Sequence, residues 1–110
     1  MKVLSDEFAP APIQRTVRSL QISIVEDAGF KGLSNGDLIK AAEGIYDVLV
    51  TADKNLRYQQ NLAGRRIAIV ELPNNSWPRL KGMMQVFEAT ILRAKPGDYL
   101  IIPEQSVPRP

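Results

Sequence analysis

The sequence predicts an α/β domain built on a mainly parallel sheet of about five strands. Strand-like and helix-like segments alternate along its 110 residues. Val48-Leu49-Val50 is a contiguous apolar run, as expected of a central strand covered on both faces. Asp6, Asp37 and Asp53 each fall where a strand should give way to a loop or helix. In a parallel α/β domain the strand carboxyl ends share one edge, so carboxylates placed there converge in one crevice.

The elements follow in order. Residues 2–5 form an opening strand. Pro10 or Pro12 fits the first turn of a helix, where a missing N–H costs nothing, and Ile13, Val17 and Leu20 carry helical spacing over 11–20. Ile22, Ile24 and Val25 give a second strand. A turn-rich loop runs from Gly29 to Gly36. A short helix then bears Leu38, Ile39, Ala41 and Ala42, capped by Ser34 or Asn35 and ended by Gly44. Asp37 lies in its first turn, where the helix dipole favours a carboxylate.

Tyr46 to Thr51 is the central strand, and 53–62 a loop or short helix after it. Ile67 to Leu72 is a further buried strand. Pro73-Asn74-Asn75-Ser76 turns the chain into a long helix with Leu80, Met83, Met84, Phe87 and Ile91 on one face and Trp77 as a staple at its start. Lys95-Pro96-Gly97-Asp98 leads to a closing strand, Tyr99 to Ile102. Residues 1–103 thus read as one domain and 104–110 as a frayed tail.

Composition narrows the chemistry. The chain has 45% hydrophobic and 24% charged residues, the balance of a globular domain. It has no cysteine and no histidine, which removes thiolate chemistry, the usual zinc ligand and the commonest general base. No apolar run approaches the ~20 residues of a membrane span, and the N-terminus lacks a secretory signal pattern, so the expectation is a cytoplasmic protein with no membrane partner. The formal charge of +2 is only mildly basic.

Hydrolysis without histidine must therefore run on carboxylates and a metal. Hard oxygen donors suit Mg²⁺ or Mn²⁺, which Asp6, Asp37 and Asp53 would hold, with Asn55 as a neutral oxygen donor. Glu7 and Thr51 would support the site, Thr51 by hydrogen-bonding a carboxylate or the attacking water. Lys54 and Arg57 would meet phosphates, and Tyr58 would stack on a base. Each aspartate also has a purely structural role open to it. Asp6 with Glu7 reads equally as a solvated pair, Asp37 as a dipole partner, and Asp53 as a cap on the N–H of Asn55 or Leu56.

Three motifs occur in order: Val3-Leu4-Ser5-Asp6-Glu7-Phe8-Ala9-Pro10, Asp27 to Leu38 with Gly32-Leu33-Ser34-Asn35-Gly36-Asp37, and Val50-Thr51-Ala52-Asp53-Lys54-Asn55-Leu56. Together they resemble the small PIN-like proteins, related to PIN-domain toxins, over roughly residues 2–80. The resemblance implies a three-layer α/β/α fold and a Mg²⁺- or Mn²⁺-dependent ribonuclease with Asp6, Asp37 and Asp53 as its acidic ligands. It also implies the toxin half of a bacterial toxin–antitoxin pair, with an antitoxin protein as partner and homodimers as the assembly. Many PIN domains carry a fourth acidic residue near position 55, where this chain has Asn55. The alternative expectation is a PIN-like interaction module, weak or inactive as a nuclease, that binds a protein or RNA. A phosphate-receiving domain of the response-regulator type also places acids at strand ends, but this chain lacks the late-strand lysine of that fold.

Overall fold

A computed structural model describes residues 1–59 and 64–104. Five strands form one all-parallel sheet: β1 (Lys2–Ser5), β2 (Gln21–Ile24), β3 (Val48–Thr51), β4 (Ala68–Glu71) and β5 (Tyr99–Ile101), in the order β2-β1-β3-β4-β5. The fold is thus α/β with helices on both faces, the three-layer α/β/α arrangement expected from the sequence. Among the described residues no helix is long and apolar enough to cross a membrane.

Alternation along the strands sorts side chains into two cores. Val3, Val48, Val50, Ala68 and Val70 face one side. There they pack with Ile13 of α1 (Pro12–Thr16), Leu80 of α4 (Trp77–Leu80) and Phe87 and Ile91 of α5 (Met84–Arg93). Leu4, Leu49 and Ile69 face the other side, under Leu38, Ile39 and Ala42 of α2 (Asn35–Ala42) and Leu56 of α3 (Leu56–Gln59). The β4-to-β5 crossover therefore passes over the same face as α1, opposite in hand to the other three connections. On the second face, beside β4, the described residues supply only the short α3. That is where the sheet turns polar.

Two helices differ from their sequence-based outlines. The first ends at Thr16, where the threonine hydroxyl donates to the Pro12 carbonyl (2.9 Å) and Val17 leaves helical geometry. β-Branched residues there are poor helix formers, and Val17 and Leu20 reach the core from a loop instead. The long last helix is interrupted by a 3₁₀ turn, Lys81–Met83, centred on Gly82. Glycine weakens a helix interior, yet Leu80, Met83, Met84, Phe87 and Ile91 stay buried on one side. Trp77 packs partly buried against this core, as a staple should.

The remaining caps and turns have local causes. Ser34 caps α2 by accepting the Asp37 N–H (3.3 Å). Gly44, at φ 93°, turns the chain after α2 in a conformation that disfavours a side chain. At the far end Glu104 accepts hydrogen bonds from Asn74 Nδ2 (3.0 and 3.2 Å). Tail residues 105–110 lie outside the described residues.

Candidate functional site

In the order β2-β1-β3-β4-β5 the chain winds outward in opposite directions from β1 and β3. The crevice beyond the carboxyl ends of these two strands is the topological switch point, the place where open α/β sheets bind ligands. Asp6 directly follows β1, and its N–H is held by the Val50 carbonyl of β3 (2.9 Å). Asp53 follows β3 by two residues. By strand alternation Leu4 and Asp6 share a face, as do Leu49, Thr51 and Asp53, so both carboxylates belong to the α2–α3 side.

Asp6 is only 2% exposed. Its Oδ1 accepts the N–H groups of Phe8 (3.0 Å) and Ala9 (3.2 Å), which bend the chain away from β1. Its Oδ2 is buried without a hydrogen bond of proper geometry. Burial pushes the carboxyl up to about 6. The Thr51 side chain and the two backbone N–H groups oppose this, and the nearby Asp53 charge adds to it. An acid in this position calls for a proton or a cation.

Asp53 is partly buried and fastened from three directions. Its N–H donates to Thr51 Oγ1 (2.9 Å), its Oδ1 accepts the Asn55 N–H (3.0 Å), and its Oδ2 accepts Asn35 Nδ2 (3.2 Å). The capping role open to Asp53 from sequence is therefore real, and the Oδ2 contact lies beyond it. Asn35, read from sequence only as a possible cap, is the residue that α2 brings to the crevice, where it also lines the cleft at Asp6.

Asp37 stands apart. It is exposed in the first turn of α2 and is not among the charges acting on Asp6. Helical geometry explains this: at ~100° per residue, a side chain two positions beyond Asn35 projects from nearly the opposite side. Leu38, Ile39 and Ala42, three, four and seven positions on, share the Asn35 face and are buried. Among the described residues no three His, Cys, Asp or Glu side chains gather closely enough to hold a metal ion.

Of the remaining expected site residues, Thr51 is fully buried between the two aspartates, while Glu7, Lys54 and Asn55 are exposed around the crevice. The Tyr58 side chain lies outside the described residues. Two depressions meet at Asp6. A narrow cleft of ≈ 20 Å³ between Phe8, Leu33 and Asn35 has room for about one water. A wider one of ≈ 470 Å³ is lined by Glu7, Glu26 and Asn75. Phe8 and Leu33, 46% and 41% exposed, flank the narrow one.

Sequence reasoning also missed a polar group beside the crevice. Glu71, the last residue of β4 and 1% exposed, pairs with Thr51 in the sheet register. Its Oε2 accepts Arg57 Nη2 (2.9 Å) and its Oε1 accepts the Tyr99 hydroxyl (2.8 Å). Burial and the neighbouring carboxylate push the Tyr99 hydroxyl well above the ordinary tyrosine range; Arg57 and Asp53 both act on it as charges. The available signal was a lone Glu inside the apolar run Ile67 to Leu72, since a charge in such a strand requires a partner.

Comparison with models of known families, with curated protein sequences and with solved structures gives no match for this chain.

Proposed function

We propose that the chain is a Mg²⁺- or Mn²⁺-dependent endoribonuclease that hydrolyses RNA phosphodiesters in the Asp6–Asp53 crevice. The observation that carries this reading is Asp6: a fully buried carboxylate with an unpartnered Oδ2, beside a second carboxylate, at the switch point of a parallel sheet. The donor set fits a hard divalent cation, because Mg²⁺ commonly takes one or two carboxylates and completes its octahedron with water. Asp6 Oδ2 and Asp53 would hold it. Asn35, whose amide offers an oxygen on rotation, stands next to Asp53. A bound cation supplies Lewis acidity, acidifying water and neutralising phosphate oxygens.

The protein's own groups have defined tasks. Phe8 and Ala9 N–H groups fix the Asp6 carboxylate, and Thr51 fixes the turn that carries Asp53. Glu7 and Glu26 give the wider cleft an acidic rim, which a cation must offset before a phosphate approaches. Arg57 is tied to β4 through Glu71 and Lys54 is exposed on the turn after Asp53; both would meet the RNA backbone. Asp37, outside the pair, would act from the rim. The roles of toxin, antitoxin partner and homodimer follow from the PIN-like resemblance and belong to the same proposal.

A second reading, a PIN-shaped module that binds a protein or RNA without cleaving it, is favoured by the gathering of two acids rather than three. Calorimetric Mn²⁺ titration of wild type and Asp53→Asn, with RNA cleavage in parallel, separates the two. Saturable binding abolished in Asp53→Asn, together with metal-dependent cleavage, supports the nuclease. Absence of Mn²⁺ binding in wild type, with a higher melting temperature for Asp53→Asn, supports the module.

A further inference from the structure

We propose that the wider cleft at Asp6 binds a short aliphatic diamine, its ammonium ends held by Glu7 and Glu26 and its methylenes by Phe8 and Pro10. The inference goes beyond the nuclease reading and needs neither a metal nor RNA in the cleft.

The lining of the cleft fixes the sign of its occupant. Asp6, Glu7 and Glu26 line it, and among the described residues no lysine or arginine does. Ser5 and Ile24 are partners in the β1–β2 register, so Glu7 and Glu26 each follow a paired residue by two positions, on strands about 4.8 Å apart. Like charges so placed repel one another unless a cation comes between them. Lys31 approaches Glu26 only to 3.9 Å, and both side chains are largely exposed, a pairing of little strength. Glu7 has no hydrogen bond or ion pair among the described residues. Asp6 adds an independent demand. It is 2% exposed, its Oδ1 is spent on the Phe8 and Ala9 N–H groups, and its Oδ2 has no hydrogen bond of proper geometry.

The rest of the lining fixes the occupant's shape. Phe8, Ala9, Pro10, Ala11 and Ile24 supply apolar surface, and Phe8 is 46% exposed. A hydrated Mg²⁺ keeps its waters and gains nothing from such walls. A phosphate has the wrong sign. A nucleobase sets its own acceptors beside its donors, and carboxylates can only accept. An ammonium group has three donors and no acceptor, so it suits this rim at every bond. The Asn75 side chain lines the cleft with no hydrogen bond among the described residues and adds a neutral carbonyl acceptor. An aromatic ring beside a cation adds a further attraction, and methylenes cover apolar surface while their charged ends stay in the polar rim. At ≈ 470 Å³ the cleft is of the size of small-molecule sites, about 300–1,000 Å³.

The test titrates the full chain with putrescine and cadaverine by calorimetry, and follows backbone amide shifts by NMR. Salt is held at about 0.15 M, where the Debye length of about 8 Å screens scattered surface charges. One-to-one saturable binding is expected, with shifts gathered at Glu7, Phe8, Glu26 and Asn75. Glu7→Gln and Glu26→Gln should each weaken it about three- to fivefold, the range of an exposed ion pair. Glu88→Gln, which removes one charge from α5, should leave it unchanged. The monoamine n-butylamine, with one charged end, should bind more weakly than putrescine by a similar factor.

Thermal melts of the glutamine variants check that each is folded, since both glutamates are exposed. Shifts scattered over acids elsewhere on the surface, or equal weakening by Glu88→Gln, would reduce the binding to non-specific attraction and overturn the proposal. Equal affinity for n-butylamine would overturn the two-ended assignment. A lysine-bearing tripeptide with blocked ends that binds where neither diamine does would hand the cleft to a protein partner, and the diamine assignment would fall.

Discussion

Asp6→Asn should remove a pH dependence of stability that the native chain carries in its crevice. Burial raises Asp6 from 3.8 to about 6. An acid with a higher pKa folded than unfolded binds its proton more tightly in the folded state. Its contribution is fully present below the unfolded pKa and is lost as pH rises through the folded one. The window therefore runs from about pH 4 to just above pH 6. A shift of about two units corresponds to roughly 3 kcal/mol. With an unfolding entropy of ~2.1 cal/mol/K per residue, that amounts to ~12 °C in melting temperature for a chain of this length.

Asparagine keeps an oxygen for the Phe8 and Ala9 N–H groups and has no charge to desolvate. Urea unfolding of both proteins between about pH 4 and pH 8 isolates the effect, because all other carboxylates titrate in both. The stability of wild type minus that of the variant should fall by roughly 3 kcal/mol across the range. Saturating Mn²⁺ at the upper end should restore wild type by about 2.7 kcal/mol at a hundredfold excess over Kd, and leave the variant unchanged. A flat difference would refute the claim that Asp6 is a desolvated acid. A difference that grows with pH would refute it more strongly.

Three other substitutions probe the same frame. Arg57→Ala leaves Glu71 buried with only the Tyr99 hydroxyl and should cost about 3 kcal/mol or more by urea unfolding. Gly44→Ala forces a side chain into φ 93° with its Cβ 3.3 Å from Arg66 Nη2, so a loss of about 1–2 kcal/mol is expected in thermal melts. Asn35→Asp sets a third carboxylate against Asp53 Oδ2; it should lower the metal-free melting temperature and tighten Mn²⁺ binding by calorimetry.

What the sequence could tell followed from how local each signal was. Val48-Leu49-Val50 announces a central strand because both neighbours of the sheet are written into the run itself. Asp6 and Asp53 could be placed together because each follows a strand directly, and parallel strands end at a common edge. Asp37 was a different case, since its position depends on rotation about a helix axis and not on a strand end. Leu38, Ile39 and Ala42 define the buried side of α2, and only Asn35 continues that side toward the N-terminus. With Ser34 serving as the cap, Asn35 is left to reach Asp53, and the same rotation turns Asp37 outward. The Glu71–Arg57–Tyr99 group was illegible for the opposite reason. Its members lie 14 and 28 residues apart and meet through the parallel pairing of β4 with β5, on the face opposite the last crossover. That leaves the β4–β5 corner beside α3 for a polar group. Topology thus sets the charge pattern of this crevice: two strand ends fix the carboxylates, one helix rotation selects Asn35 over Asp37, and one crossover provides the space that Arg57 enters.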